Sequence, residues 1–339
     1  MLPPALRRLW RDRETLQLGR PPGPSAVLAG IDPSARAALA LLDGTRDTTQ
    51  VVSEARTAGC PPDRATALLE LLDRAGLLSD AAHGTGADSL PRSERERLGG
   101  DVAGLTLVHG PGAASVLARR SAARVRVLGA GRVGAAVAGL LAASGVGAVD
   151  VDDAGIARAA DVGVGGPALD DVGRSRGEAA RARLAALAPS TDLAPGAADL
   201  VVVAPVEDDL EDDVRALVGS GAPHLALQVR DGVGLVGPLV LPGRSPCLHC
   251  LELTRTDLDP DWPVLSAQLG QRTRAAAAGG AVLAAAVAAQ GAAQALALLD
   301  GWPEPAARGG TLELVPPDWR WRRRSWSLHA DCGCVPQAG

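Results

Sequence analysis

The stretch that decides the fold is Arg124-Val-Arg-Val-Leu-Gly-Ala-Gly-Arg-Val-Gly134, followed by Ala135-Ala-Val-Ala-Gly-Leu-Leu-Ala-Ala-Ser144 and a second apolar run that ends at Asp152 and Asp153. Its first five residues are typical of a short buried strand, and the glycines follow directly. The next ten residues carry the small apolar side chains of a buried helix. This order predicts a βαβ unit with a tight glycine turn between its first strand and its helix.

The glycines Gly129, Gly131 and Gly134 have the spacing of a nucleotide-binding turn. A backbone without Cβ atoms lets a phosphate approach closely, and the N-terminus of the following helix offers N–H donors to it. An acidic residue about 20 positions further on holds a ribose hydroxyl in such units, and Asp152 or Asp153 has that place. The pattern predicts a Rossmann-like unit. It is stronger evidence for this fold than for a bound nucleotide.

Later apolar runs at Leu200–Ala204 and Leu225–Val229 predict further strands of the same sheet. Strands that alternate with helices in this way favour a mostly parallel sheet that is covered on both faces. The run from Trp319 to Trp326 alternates aromatic and basic residues. We interpret it as a strand leading back towards Cys332 rather than as a nucleic-acid surface.

The first 80 residues predict a separate, smaller module. Short strands are expected at Thr15–Leu18 and Ala26–Ala29, and helices are expected to begin at Asp32, Thr48 and Pro61. This order is that of a small winged-helix α+β domain. Residues 81–100 lose apolar periodicity and predict a linker, so the expected organisation is a domain at 1–80, the linker, and an α/β domain at 101–339.

Two cysteine pairs, Cys247-Leu-His-Cys250 and Cys332-Gly-Cys334, predict a metal site. Four thiolates favour tetrahedral Zn²⁺ without an open position, which makes the site structural rather than catalytic. The close spacing of the second pair leaves His329 as an alternative ligand. Paired cysteines of this kind fit a reducing cytoplasm better than a disulfide framework, and Cys60 is left over as a buried thiol.

The composition excludes some functions. The formal charge of −5 argues against a nucleic-acid-binding protein, and all 34 basic residues are arginine, so no lysine-dependent step is possible. The alanine-rich run Ala275–Leu299 approaches the length of a membrane span. Gly279, Gly280, Gln290 and Gln294 interrupt it, however, and we expect a buried helix and no membrane association.

Together these motifs resemble the ThiF and MoeB family, which is related to ubiquitin-activating enzymes, over about residues 120–335. The resemblance is carried by the segment from Leu128 to Asp153 and by the two cysteine pairs. It implies a ThiF-type Rossmann-like domain with structural zinc, and a homodimer. If nucleotide binding is retained, the resemblance assigns it to the glycine turn, Asp152, Asp153 and Arg176.

Departures from the family pattern predict that the adenylation site has degenerated. The family's Asn-Leu-Gln-Arg stretch is replaced by Ala159–Gly165, so its phosphate-binding arginine is missing. The family's phosphate-binding lysine is replaced by Arg176, which keeps the charge but not the compact ammonium group. The aspartate that positions Mg²⁺ falls in the segment Ala204-Pro-Val-Glu207, where only Glu207 is acidic. We therefore do not expect ATP and Mg²⁺ to be used normally.

Within this superfamily the whole chain looks most like the ThiF-like partner proteins of YcaO cyclodehydratases, which modify ribosomal peptides. That resemblance implies a PqqD-like winged helix that binds a precursor leader peptide, and a Rossmann body that delivers the peptide to the YcaO enzyme. We expect the peptide to add beside the Ala26–Ala29 strand and to lie along the third helix. The residues predicted to contact it are Val27, Leu28, Arg64, Leu68 and Leu72.

Other functions remain open at the sequence level. An adenylyltransferase could rebuild the ATP site from Asp152 or Asp153, Arg176 and Glu207, and an NAD(P)-dependent oxidoreductase would use the same glycine turn. A winged helix can also serve only for dimerisation or packing, and a purely structural scaffold would bind neither nucleotide nor peptide. The sequence does not name the peptide or the partner enzyme.

Overall fold

The computed structural model describes residues 1–79, 90–206, 211–269 and 279–334. The chain divides into two compact units, Met1–Arg119 and Arg120–Gly339, which are described separately below. Residues 80–89, most of the first half of the expected linker, lie outside the described residues. The expected boundaries at 80 and 100 stay predictions.

The first unit begins with a small antiparallel sheet. Its strands are β1 (Arg8–Trp10), β2 (Leu16–Gly19) and β3 (Ser25–Leu28). β2 lies in the middle, with Leu16 opposite Leu28. The expected strands correspond to β2 and β3. β1 was not expected because its three residues are all exposed, so it lacks the alternation that marks a half-buried strand.

Three helices follow and begin at the expected capping signals. They are α1 (Pro33–Ala40), α2 (Thr48–Thr57) and α3 (Pro62–Arg74). The Ala35 amide donates to Asp32 at 2.9 Å, and Asp47 forms a capping box with Gln50. α3 ends before Gly76, whose φ of +66° lies in the left-handed region. The core between sheet and helices is formed by leucines that include Leu16, Leu18, Leu28, Leu72 and Leu77.

The remainder of the first unit is helical. Its elements are α4 (Arg92–Arg97), α5 (Gly99–His109) and α6 (Ala113–Ala122), the last of which continues into the second unit. Leu105, Val116 and Leu117 form a separate small cluster between α5 and α6. Residues 92–97 therefore form a helix inside the stretch that the sequence favoured as linker.

The second unit is built on a seven-stranded sheet. Its strands are β4 (Arg124–Leu128), β5 (Ala148–Asp152), β6 (Leu200–Val203), β7 (His224–Arg230), β8 (Val233–Val240), β9 (Gly310–Val315) and β10 (Arg320–Ser325). Their order in the sheet is β10-β9-β8-β7-β6-β4-β5. The helices are α7 (Gly134–Ala143), α8 (Arg176–Leu187), α9 (Glu211–Ser220), α10 (Leu248–Leu258), α11 (Trp262–Leu269) and α12 (Ala281–Leu299). The predicted βαβ unit is β4-α7-β5.

The expectation of a mostly parallel sheet is wrong for one half of it. β5, β4, β6 and β7 are parallel, whereas β7, β8, β9 and β10 pair antiparallel. The change of direction occurs at Asp231 and Gly232, with φ values of +51° and +76°. This two-residue turn returns the chain directly beside β7, so no crossover helix is possible there.

The alanine-rich helix α12 packs on the sheet. It is the one helix in the described residues that is long and apolar enough to cross a membrane by length and composition. Val287, Ala288, Ala292 and Ala295 lie in the main core cluster. A Cβ atom at Gly291 would lie 2.6 Å from the side chain of Leu227, so the glycine permits close approach of helix and strand. α12 is therefore a core helix of this unit; residues 275–278 of the predicted run lie outside the described residues.

Candidate functional site

The backbone of the glycine turn between β4 and α7 packs closely against neighbouring backbone atoms of the same unit. Gly129 has a φ of +94°, and a Cβ atom there would lie 2.2 Å from the carbonyl oxygen of Ala204. A Cβ atom at Gly134 would lie 1.9 Å from the carbonyl oxygen of Gly129. Gly131 differs, because its neighbour is the side chain of Val206 at 2.8 Å. Two of the three glycines are thus required by the fold, whether or not a nucleotide binds.

Asp153 and Arg176 form a buried ion pair beside this turn. The Arg176 guanidinium donates to both carboxylate oxygens of Asp153, from Nε at 2.9 Å and from Nη2 at 3.1 Å. The amides of Ala130 and Gly155 also donate to this carboxylate, each at 2.7 Å. The side chains of Arg176 and Asp153 are only 9% and 6% exposed. Asp153 is therefore fully engaged within the protein.

Asp161 is a second carboxylate partner of the same guanidinium. Nη1 of Arg176 lies 3.4 Å from Oδ2 of Asp161, and both side chains are buried. A Cβ atom at Gly155 would lie 2.0 Å from Nη2 of Arg176, so only glycine leaves room for the guanidinium to reach Asp153. Arg176 is consequently enclosed by two aspartates.

The protonation states fit this network. Burial alone raises the pKa of Asp153, but the Arg176 guanidinium and the amides of Ala130 and Gly155 hold it below its ordinary value. Burial lowers the pKa of Arg176, while Asp153 and Asp161 more than offset this and raise it above its ordinary value. Asp153 and Arg176 are thus both charged at neutral pH.

Asp152, the last residue of β5, faces the cleft but is paired as well. Its Oδ2 accepts from Nη2 of Arg126 at 2.6 Å, and its side chain is 52% exposed. Arg126 also lies 3.6 Å from Asp150. A nucleotide that used Asp152, as the sequence predicts, would therefore compete with Arg126 for its carboxylate.

These residues surround a cleft of about 590 Å³ at the carboxyl ends of β4, β5 and β6. The lining includes Gly129, Asp152, Asp153, Arg176 and Val206. Among the described residues, two aspartates, Asp152 and Asp153, and two arginines, Arg158 and Arg176, line the cleft, so their charges balance and there is no excess positive charge for a polyphosphate. Glu207, the predicted carboxylate for Mg²⁺, lies outside the described residues.

The four cysteines of the two pairs meet at one point. Sγ of Cys247 lies 3.9 Å from Sγ of Cys250 and 3.6 Å from Sγ of Cys332, and Sγ of Cys250 lies 3.4 Å from Sγ of Cys334. All four sulfur atoms lie within 4.8 Å of one another. Tetrahedral Zn²⁺ with bonds of about 2.3 Å requires sulfur separations of about 3.8 Å, so the cluster fits zinc closely.

The cluster lies between the start of α10 and the segment after β10. Cys247 caps the N-terminus of α10, and Cys250 lies in its first turn. Burial raises the pKa of the Cys332 thiol to about 11 and raises that of Cys334 further. A metal ion would stabilise the thiolates that burial disfavours, and it would tie α10 to the segment after β10.

His329 does not take part in the cluster, so the alternative of a histidine ligand is wrong. Its Nε2 atom lies 2.9 Å from Oδ2 of Asp257, and its Nδ1 atom accepts from the amide of Asp331 at 3.1 Å. Both ring nitrogens are thus occupied elsewhere. The complete set of four cysteines explains why no fifth ligand is needed.

The predicted peptide-binding residues divide between surface and core. Val27 of β3 is 50% exposed, and Leu68 of α3 is partly buried. Leu28 and Leu72 are 4% and 0% exposed, and both belong to the core of the first unit. Their side chains are therefore out of reach of a peptide.

Arg64 joins the start of α3 to the end of β3. Its guanidinium donates to Oδ2 of Asp32 and to the carbonyl of Gly30, each at 2.6 Å. Leu71 was missed by the sequence analysis; it is 44% exposed on α3. Helical spacing would have found it, because Leu71 lies three residues after Leu68 and neighbours it on the helix surface, on the side away from the buried Leu72.

Asp161 and Gly155 were also missed as site residues. Asp161 belongs to no recognisable sequence motif, because its contact with Arg176 depends on how the loop between the two residues folds. Gly155 gave a weak signal, because a glycine two residues after an aspartate is typical of a turn in which the carboxylate accepts from the backbone. The Gly155 amide makes that bond to Asp153.

No family model and no curated protein matches the sequence. Among solved structures, E. coli MccB with ATP has a TM-score of 0.74 and 16% identity, and the match covers 99% of both chains. MccB, described as a microcin C7 biosynthetic enzyme, in complex with N-formylated MccA, has a TM-score of 0.73 and 16% identity, again over 99% of both chains.

PaaA is a further structural match, with a TM-score of 0.71 and 19% identity over 96% of this chain and 99% of PaaA. At these identities the likeness establishes the fold. It supports the ThiF-type fold that the sequence predicts for about residues 120–335, and the match itself extends over nearly the whole chain. The PqqD-like and YcaO-partner assignments stay predictions.

Proposed function

We propose that this protein binds an extended precursor peptide through its first unit and presents it to a separate modifying enzyme, without adenylating the peptide itself. The observation that carries this proposal is the enclosure of Arg176 by Asp153 and Asp161. Arg176 would have to give up part of its pairing with these two carboxylates before it could neutralise the phosphates of ATP. The fold of an adenylating enzyme is kept, while its positive charge is used for internal structure.

Adenylation needs strong charge stabilisation at the reacting phosphate, supplied by a metal ion and by cations. Of the two arginines that line the described part of the cleft, Arg176 is engaged by Asp153 and Asp161, and Arg158 lies 3.9 Å from Asp161. Freeing Arg176 would leave Asp153 buried without its counter-ion, which costs about 3–5 kcal/mol. Nucleotide binding would have to supply this energy before it stabilised any transition state.

The peptide would pair with the outer edge of β3 and lie along α3. β3 is an outer strand of its sheet among the described residues, and Val27 is exposed on it. Leu71 and the partly buried Leu68 offer apolar contacts on the neighbouring helix, while Arg64 fixes the helix to the strand. Backbone pairing would give affinity, and these side chains would give selectivity.

The other parts of the proposal follow from the resemblance and from MccB. Solved MccB structures contain the peptide MccA, which supports peptide binding by this fold. A ThiF-like partner of a YcaO-type cyclodehydratase is the role we propose for the whole chain, with a homodimer as its assembly, a cytoplasmic location, and zinc at the four cysteines as a structural ion. The protein then has no turnover alone.

Peptide binding is tested with fluorescein-labelled synthetic peptides copied from the small open reading frames beside the gene. Val27→Glu places a charge on the edge strand without touching the core, and we expect it to weaken binding roughly tenfold or more. Val108→Glu is the matched control, because Val108 is 71% exposed on α5 of the same unit. Equal affinity of both variants and the wild-type protein would exclude the β3 edge.

A second candidate, an ATP-using adenylyltransferase, is favoured by two observations. The match to MccB with ATP covers 99% of both chains, and Asp152 ends β5 at the open cleft. Pyrophosphate exchange that depends on both ATP and peptide would support this candidate and exclude the recognition role as the only function.

A further inference from the structure

The last strand of the second unit, β10, is an exposed and strongly basic edge. Its sequence is Arg320-Trp-Arg-Arg-Arg-Ser325, and all six residues are exposed. β10 is the outermost strand of the seven-stranded sheet and pairs only with β9 among the described residues. Its other side therefore presents unpaired backbone groups.

The hydrogen-bond pattern identifies those groups. The Trp326 amide donates to the carbonyl of Gly309 at 2.9 Å, just beyond the end of the ladder. Hydrogen-bonded pairs alternate along an antiparallel ladder, so Arg324, Arg322 and Arg320 point their backbone groups towards β9. The N–H and C=O groups of the intervening residues, from Trp321 onwards, point away from the sheet.

The side chains of β10 divide between two faces. Trp321 and Arg323 lie opposite Leu314 and Leu312, which are buried, so they share the core-side face of the sheet. Arg320, Arg322 and Arg324 lie on the other face at alternate positions. Alternate residues of a strand are about 6.6–6.8 Å apart, which equals the spacing of alternate side chains in any strand added beside them.

The positive charge of this edge is only partly compensated. Arg322 pairs with Asp318, and Arg324 pairs with Glu313 at 3.1 Å. Arg320 has no carboxylate partner in the described part of the chain. Arg323 donates to neutral carbonyl groups, from Nε to Ala306 at 2.8 Å and from Nη2 to Arg308 at 3.1 Å, so its charge is also uncompensated.

We propose that β10 is a docking edge for an extended acidic segment of a partner protein, which adds to the sheet as a further strand. The outward backbone groups would pair with the segment, and carboxylates at alternate positions would face Arg320 and its two neighbours on that face. This surface lies in the second unit, and the proposal does not depend on peptide binding at β3.

Charge selects the occupant of this edge. A second copy of β10 would bring the same arginines beside these, and like charges in facing strands are destabilising. An acidic strand of the same spacing gains from the same arrangement, so the edge rejects its own copy and favours a partner of opposite charge. The basic residues thus protect against self-pairing and provide recognition.

The test uses the full-length, zinc-loaded protein and a fluorescein-labelled peptide that alternates glutamate and valine. Matched probes are a peptide alternating lysine and valine and one of the same glutamate and valine content with the glutamates in one block. We expect saturable binding of the alternating acidic peptide, with weaker binding of the block peptide and none of the lysine peptide. Binding should weaken steeply between about 0.05 M and 0.5 M salt.

Two changes separate strand addition from simple charge attraction. Arg320→Glu combined with Arg322→Glu should weaken binding at least about tenfold, whereas Arg92→Glu, at a residue 85% exposed in the first unit, should leave it unchanged. N-methylation of the peptide at one set of alternate residues should abolish binding, while methylation at the other set should not, because only one set donates to β10.

Three results would overturn the proposal. Equal affinity for the alternating and block peptides would exclude recognition by register. Tighter binding of a short oligothymidylate than of the acidic peptide would indicate a nucleic-acid surface. Dissociation of a wild-type dimer by the Arg320→Glu and Arg322→Glu pair would make β10 an interface between copies. Val27→Glu should not change the affinity for the alternating acidic peptide. The docking proposal for β10 and the peptide-binding proposal for β3 can therefore fail independently.

Discussion

Asp153→Ala should destabilise the second unit strongly, because it removes the buried counter-ion of Arg176. The Asp153 carboxylate accepts from two guanidinium nitrogens and two backbone amides at 2.7–3.1 Å. The substitution leaves Arg176 buried, with Asp161 at 3.4 Å as its remaining carboxylate partner and the Ile156 carbonyl at 3.2 Å as a neutral acceptor. Breaking such a pair costs about 3–5 kcal/mol. For a unit of this size that cost lowers the Tm by about 6–20 °C.

The matched control is Asp152→Ala, one residue earlier in the chain. Asp152 pairs with Arg126, but its side chain is 52% exposed, so solvent screens the interaction. We expect it to contribute less than about 1 kcal/mol. Urea unfolding followed by circular dichroism would give the free energy of unfolding of both variants and of the wild-type protein.

A loss below about 1 kcal/mol in Asp153→Ala would refute this reasoning. It would mean that Arg176 is free to move to solvent or to a ligand, and the cleft would then keep a usable cation. Tighter ATP binding by the same variant would instead support the reasoning, because it would demonstrate that Asp153 keeps Arg176 from binding phosphate.

Cys250→Ser should reduce bound zinc from about one equivalent per chain and lower the Tm, whereas Cys60→Ser should keep the metal, as measured by elemental analysis. The Ala35 amide and the Ser34 hydroxyl hold the pKa of Asp32 at about 2, below its ordinary value of 3.8. Because the pKa of Asp32 is lower in the folded than in the unfolded protein, the ionised carboxylate stabilises the first unit above about pH 4, and this stabilisation is lost as the pH falls towards 2. Asp32→Ser should therefore make the stability less dependent on pH in acid unfolding. Leu72→Asn should unfold the first unit by burying an unpaired amide, whereas Leu71→Asn should keep the circular dichroism spectrum and weaken only peptide binding.

Local sequence signals predicted the parts of the fold that depend on neighbouring residues. The glycine turn, the cap at Asp32 and the βαβ unit involve contacts within a few residues or between adjacent elements. The cysteine cluster joins positions 85 residues apart, but its ligands are recognisable because each pair has a metal-binding spacing. The predicted zinc ligands and the observed cluster are therefore the same four residues.

The antiparallel half of the sheet was not predictable in the same way. β8 has the sequence Val233-Gly-Leu-Val-Gly-Pro-Leu-Val240, in which glycine and proline mask the strand pattern. Three helices separate β8 from β9 in the sequence, so no local motif predicts that the two strands pair. The hairpin at Asp231 and Gly232 was the available signal for the reversal.

The errors at the peptide site have a geometric cause. Val27 and Leu28 are neighbours on a strand, so their side chains point to opposite faces and only one can be exposed. Leu68 and Leu72 are four residues apart on α3 and share the face that contacts the core. Treating all four as one surface ignored these periodicities. Asp161 was missed because its role follows from a loop that brings it to Arg176.

The most direct test of the central claim is isothermal calorimetry of the zinc-loaded protein against ATP–Mg²⁺, run beside a titration with peptides encoded next to the gene. The account predicts saturable peptide binding, no ATP binding, and no pyrophosphate exchange with or without peptide. ATP binding together with peptide-dependent pyrophosphate exchange would contradict it and would identify the protein as an adenylyltransferase with a rebuilt site.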